Sequence, residues 1–263
     1  DDGLIYRGFR AVNWSVKGQS TCSDDELVYI EREAKFYTLK YPKDFPFTIA
    51  TTRPETKLGD TAVAVNPKDA RYKKYIGKEF KVNFLGQKLV LKIIGDGGVN
   101  MEFGTGALGV TPAHSLVDYE MAQKNNLKII KVIGEDGKMT VEAGRFAGLT
   151  VLEAREKIVE ELKKEGLLEK EETTTQNIGT SDRFGDIVEV LPKTQWFVNV
   201  NKNFKFKQSK KHPIAGLKDD QAITLKKLMQ WVVKNEQIKI IPERFYKTYF
   251  NWIDNLRDWC ISR

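Results

Sequence analysis

Apolar and polar positions change period several times along the chain, and each period names an element. Residues 3–40 alternate and are rich in Tyr, Val and Ile, as in Leu27-Val28-Tyr29-Ile30 and Phe36-Tyr37-Thr38-Leu39, so they read as strands. Further strands are expected at Phe47–Thr51, Thr61–Val65, Glu79–Phe84, Lys88–Ile94, Lys128–Ile133 and Ile238–Ile241. Elsewhere the period lengthens. Val151, Ala154, Ile158 and Leu162 fall on one stripe and predict a helix over 151–165. Thr150 with Glu153 three residues on is a capping box, and Gly166 is placed to stop the helix. Other helices are expected at Lys68–Tyr75, from near Ser115 to about Asn125, over about Asp219–Lys234 and around Tyr249–Leu256. The acidic, threonine-rich run Glu169–Thr175 reads as an exposed connection. Strands with interspersed helices predict an α+β fold with a β-barrel-like core.

Composition narrows the class. A chain of 263 residues can bury the core of one large or two small domains, and 41% hydrophobic with 30% charged residues is ordinary for a soluble globular protein. No apolar run approaches the roughly 18 residues of a membrane helix, and DDGLIYRGFR lacks a signal-peptide layout. Cys22 and Cys260 are the only cysteines and make no disulfide framework. A cytoplasmic location without a membrane partner is the expectation. The formal charge of +7 sits partly in Lys202, Lys205, Lys207, Lys210 and Lys211, interleaved with Phe204 and Phe206. That mixture suits an RNA backbone, with cations on phosphates and rings on bases; it equally suits a solvated surface over two core phenylalanines.

Candidate chemistry concentrates in two segments. Phe103–Asp118 is glycine-rich and holds Thr105, Thr111, His114 and Asp118; Gly104, Gly106 and Gly109 allow close approach of the backbone to a ligand. Thr51-Thr52-Arg53-Pro54-Glu55-Thr56 follows a strand. Together they suit a pocket for a small polar group beside a negatively charged polymer. Blander readings stand beside this one. Ser115-x-x-Asp118 is itself a capping-box spacing, the threonines favour strands, and Arg53 has Glu55 and Asp60 for surface partners. Phe103 is either a stacking ring or a core residue, and His114 either a general base or a hydrogen-bonded structural histidine.

The segments TTRPETKLGDTAVAVNP (51–67), EFGTGALGVTPAH (102–114), AGRFAGLTVLEAREKIVEELKKEGLL (143–168) and PERFYKTYFNWIDNLRDWCISR (242–263) resemble the editing insertion of the valyl-tRNA synthetase family, with GLIYRGFRAVNW (3–14) as its opening. The resemblance covers nearly the whole chain. It implies a compact mixed barrel ringed by helices and carried on a stalk of strands. The implied boundaries are incoming stalk strands at 1–40, an editing core at 41–172, and an outgoing ribbon with helical return at 173–263.

The implied activity is post-transfer editing: hydrolysis of the ester of threonyl-tRNA(Val). The rivals are an isoleucyl or leucyl editing domain and a non-catalytic tRNA-binding module. Carried over by position, Asp118 anchors the substrate α-ammonium, a need that a carboxylate meets by a charge-assisted hydrogen bond. Thr52 and Arg53 join it as catalytic residues, and Thr51, Thr56, Phe103, Thr111 and Ser115 line the substrate. The implied partners are the tRNA(Val) 3′ end and the remainder of a synthetase. No cofactor is expected for this segment; ATP and Mg belong to a catalytic domain whose HIGH-like and KMSKS-like signatures are missing here. The chain therefore reads as an excised insertion without aminoacylation.

Two departures qualify the match. Many relatives carry a lysine at Gly109 and an aspartate at Ser115. Relatives also often carry Cys-x-x-Cys pairs where this chain has Ser15 and Gly18, then Ser181 and Phe184; these residues cannot ligate zinc as cysteine does, so no metal is expected.

Overall fold

The computed structural model describes residues 3–42 and 45–262. Along the chain run β1 (Ile5–Ser15), β2 (Ser20–Cys22), β3 (Leu27–Lys40), β4 (Thr48–Thr51), β5 (Ala62–Val65), β6 (Glu79–Phe84), β7 (Gln87–Gly95) and β8 (Ala107–Val110). They are followed by α1 (Leu116–Asn125), α2 (Val151–Lys164), β9 (Leu168–Ser181), β10 (Val188–Val198), β11 (Asn203–Lys205), β12 (Ala222–Thr224), α3 (Leu225–Lys234), α4 (Tyr246–Asp254) and β13 (Trp259–Cys260). Two compact units result: Arg10–Lys193, and Asp1–Phe9 with Thr194–Arg263.

The larger unit carries the core. Its main sheet has the order β6-β7-β5-β8, with β5 parallel to β7 and antiparallel to β8. The run Ala62-Val63-Ala64-Val65 is fully buried because β5 is covered on both faces. Val63 and Val65 join Leu39, Ile49, Leu91, Ile93, Ile158 and Leu162 on one side. Ala62 and Ala64 meet Ile94, Val110 and Met121 on the other. The fold is α+β, as expected, but among the described residues no sheet closes on itself. The barrel-like expectation is thus corrected to open sheets: β4 packs beside β8 yet pairs with β3 instead, so the ladder that closure requires is spent elsewhere.

Local signals explain the helices. In α2 the Thr150 hydroxyl accepts from the Glu153 amide while the Glu153 carboxylate accepts from the Thr150 amide, and Ala154, Ile158 and Leu162 are buried. Gly166, at φ +65, turns the chain out. Four expectations fail. Lys68–Tyr75 yields only a 3-10 turn at Lys73–Tyr75, and neither Lys128–Ile133 nor Ile238–Ile241 forms a strand. Glu169–Thr175 is not a loose connection but part of β9, which pairs with β3 from Leu27 opposite Ser181 to Leu39 opposite Leu168. Threonines suit a strand exposed on both faces.

In the smaller unit β11 and β12 form a hairpin over a cluster of Phe206, Leu217 and Ile223, against which Phe204 and Trp231 pack. Both interleaved phenylalanines therefore belong to a core, not to an RNA-stacking face. Lys207 pairs with Asp220 at 2.7 Å, and Lys205, Lys210 and Lys211 are exposed. Among the described residues no helix is long and apolar enough to cross a membrane.

Candidate functional site

The two singled-out segments meet in the larger unit. β4 ends at Thr51, where the Thr51 hydroxyl accepts from the Arg53 amide at 3.0 Å and so starts a turn. Pro54 opens the following 3-10 turn, Pro54–Gly59, and all six of its residues are buried. Thr56 Oγ1 donates to the Arg53 carbonyl at 2.9 Å. Thr52 lies half-buried beside it.

Arg53 does not face open solvent. Its Nε donates to Glu55 at 3.0 Å and its Nη2 to Glu189, on β10, at 2.8 Å. Arg155 of α2 grips the same Glu55 through two bonds of 2.8 and 2.9 Å. Glu55 is fully buried. Burial alone opposes its charge, but the two guanidiniums hold its carboxyl below the usual range. Burial likewise opposes the Arg53 cation, and Glu189 and Glu55 more than offset it. This cluster fastens helix α2 to the turn. The surface pairing expected for Arg53 becomes a largely buried network.

A second group lies under β8. The Lys57 ammonium donates to Asp60 Oδ1 at 3.0 Å, the Gly109 carbonyl at 2.8 Å and Thr111 Oγ1 at 2.7 Å. The Tyr41 and Thr111 hydroxyls both donate to Asp60 in short bonds. The Thr111 amide in turn donates to Asp118 Oδ2 at 2.8 Å. Ser115 caps α1 by accepting from the Asp118 amide at 3.2 Å. Only half of a capping box forms, because the Asp118 carboxylate turns to residue 111 instead of reaching back to residue 115.

The Asp118 carboxylate also draws on the Ser115 hydroxyl, and the residue keeps 6% of its surface exposed. Burial pushes the Asp118 carboxyl above its ordinary value; Lys57, the Thr111 amide and Ser115 pull it back, and Asp60 adds to the rise. A largely buried carboxylate so placed pairs strongly with a cation that reaches it.

Phe103 is 65% exposed, which excludes the core reading; its ring lies 5.4 Å from that of Phe36. His114 is buried and structural. Its Nε2 accepts from the amides of Val132 and Ile133 at 2.9 and 3.2 Å, and its Nδ1 faces the Val190 carbonyl at 3.2 Å. Burial, aided by Arg53, lowers its pKa to about 3, so the ring is neutral with its lone pair already engaged. It cannot serve as a general base.

The four positions expected to lack zinc do converge. Ser15 Oγ accepts from the Gly18 amide at 2.8 Å and donates to Asp186 at 2.7 Å. Ser181 Oγ accepts from the Phe184 amide at 3.3 Å and from the Cys22 thiol at 3.5 Å. A side chain at Gly18 would run into the Phe184 ring. Hydroxyls and a packed ring thus occupy the ground of a metal, and among the described residues no three His, Cys, Asp or Glu side chains are grouped to hold one. Elemental analysis after dialysis is expected to find far less than one zinc per chain; an equimolar content would overturn this reading.

Across residues 1–263 the chain matches the family model for tRNA synthetases class I (I, L, M and V), and it belongs to that family. It is 44% identical to the valine--tRNA ligase of Clostridium acetobutylicum over 100% of this chain and 28% of that protein. It is likewise 44% identical to the valine--tRNA ligase of Petrotoga mobilis, again over 28% of it, and 42% identical to that of Protochlamydia amoebophila over 26%. The chain thus spans little more than a quarter of the length of these relatives.

Proposed function

We propose that this chain is the post-transfer editing module of a valine--tRNA ligase and hydrolyses the ester of threonyl-tRNA(Val). The observation that carries the reading is the buried Asp118 carboxylate, held by the Thr111 amide just after β8, the strand that packs beside β4 and its Thr51–Thr56 turn. Valine-activating enzymes are the general example of the need: an apolar pocket rejects an isostere with an added hydroxyl by only about a hundredfold.

In this reading Asp118 Oδ1 takes the α-ammonium of the misattached amino acid, and Phe103 stacks on the unpaired terminal adenine. A water attacks the ester carbonyl carbon, the bond to the ribose oxygen breaks, and that oxygen takes up a proton. With His114 excluded, positioning of water by threonine and ribose hydroxyls supplies the rate, without a covalent intermediate. The partners are the tRNA(Val) 3′ end and the remainder of the ligase. Ile241, Phe245, Trp252 and Trp259, left exposed on the smaller unit, give that remainder an apolar surface to cover.

The test is deacylation of threonyl-tRNA(Val), with valyl-tRNA(Val) as the spared control. Asp118→Ala is expected to slow it ten- to hundredfold, since a charge-assisted partner is worth about 1.5–3 kcal/mol. The melting temperature of the variant must be followed too. Equal rates would remove Asp118 from the site. Tight tRNA binding without turnover by folded wild type would favour the binding-module reading. Preference for valyl-tRNA(Ile) would point to the isoleucyl type.

A further inference from the structure

We infer that Lys57 is a positioning residue of this site, supplying from the turn the cation that orients Thr111 and, through it, Asp118. The inference rests on the editing reading above.

A lysine ammonium has three donors, and Lys57 places one each on Asp60, the Gly109 carbonyl and Thr111. None is left for water, and the residue is only 5% exposed. A buried lysine with every donor assigned fixes the direction of its acceptors. Thr111 Oγ1 accepts from Lys57 and must therefore send its single proton to Asp60. The Thr111 amide then holds Asp118 Oδ2. The ammonium thus lies one residue away from the carboxylate it supports, whose charged form it favours.

Gly109 completes the case. A Cβ there would collide with Asp60 Oδ2, come within 2.8 Å of Ile49 Cδ1 and within 3.3 Å of Lys57 Cδ. Residue 109 therefore faces the carboxylate that Lys57 occupies, and Asp60 and Ile49 pack too closely there for a side chain, so the cation of this cluster is the Lys57 ammonium.

The test uses this chain with threonyl-tRNA(Val). Lys57→Met is expected to lower the deacylation rate roughly tenfold or more. The acid limb of the pH–rate profile should move to higher pH, because Asp118 then faces Asp60 and the Ser115 and Thr111 dipoles without a cation. A structural role alone would leave the profile where it is. If Lys57→Met fails to fold, Lys57→Met/Asp60→Asn removes both buried charges together. A folded double variant with wild-type rate and profile overturns the proposal; one that stays slow supports it. Titration of the Asp118 carboxyl by carbon NMR separates the two readings. An unshifted Asp118 in Lys57→Met sinks the Lys57 assignment even if editing is real. An inactive wild type sinks the editing reading, and the assignment with it.

Discussion

Acidification from pH 6.5 toward 3 should remove on the order of 5 kcal/mol from the stability of the larger unit through His114 alone. The sign follows from which form the fold holds. The unfolded imidazole protonates near 6.5, whereas the folded ring resists until about 3, because it is buried and its Nε2 accepts two backbone amides. The folded state thus binds fewer protons, so this contribution is complete above pH 6.5 and is lost as pH falls through the window. Glu55, whose carboxyl is held low, adds to the acid loss; Asp118, held high, works the other way. Whole domains are stable by only about 5–15 kcal/mol, so unfolding is expected well before pH 3. Urea denaturation of wild type and His114→Gln across pH 7 to 4 checks this. The glutamine variant should start less stable and lose less with acid. Parallel curves for the two would refute the assignment.

Glu55→Ala should cost about 3–5 kcal/mol, the usual result of breaking a buried ion pair from one side. It strands Arg155, whose bidentate partner disappears, and halves the compensation of Arg53. The effect should appear as a lower urea midpoint at unchanged slope. Arg155→Ala alone and the double variant complete a cycle. Residues in one network couple by about 0.5–3 kcal/mol, so the double variant should be more stable than the summed single losses predict. Strict additivity would show that α2 and the turn are not joined through Glu55.

The elements that could be read from the sequence were those specified by neighbours in the chain. Helix α2 has its cap, stripe and stop within residues 150–166. The turn after β4 is written in Thr51, Pro54 and Thr56. Non-local pairings were not legible. Lys128–Ile133 has strand composition, yet the amides of Val132 and Ile133 go to a histidine and not to a ladder. Glu169–Thr175 looks solvated because it is; only β3, far away in sequence, makes it a strand. Lys57 sits in a polar run that resembles a surface, and its acceptors at Gly109 and Thr111 lie on another segment altogether. Phe103 was legible as an aromatic of the motif, but only the fold separates an exposed ring from a core one.

The ribbon of β3 and β9 has an architectural consequence. Leu39 stands opposite Leu168, and the Lys40 amide donates to the Leu167 carbonyl at 3.0 Å. Residues 41–167 are an excursion between these two paired positions, tied back to the stem by the β3–β4 ladder and by the Arg53–Glu189 and Trp14–Glu135 bonds. Cut there, the two strands need only a two-residue turn to become an ordinary hairpin. Excision of the excursion with such a turn would leave the host ribbon continuous, but a transplanted copy would need its partners Trp14, Glu189 and Leu191 as well.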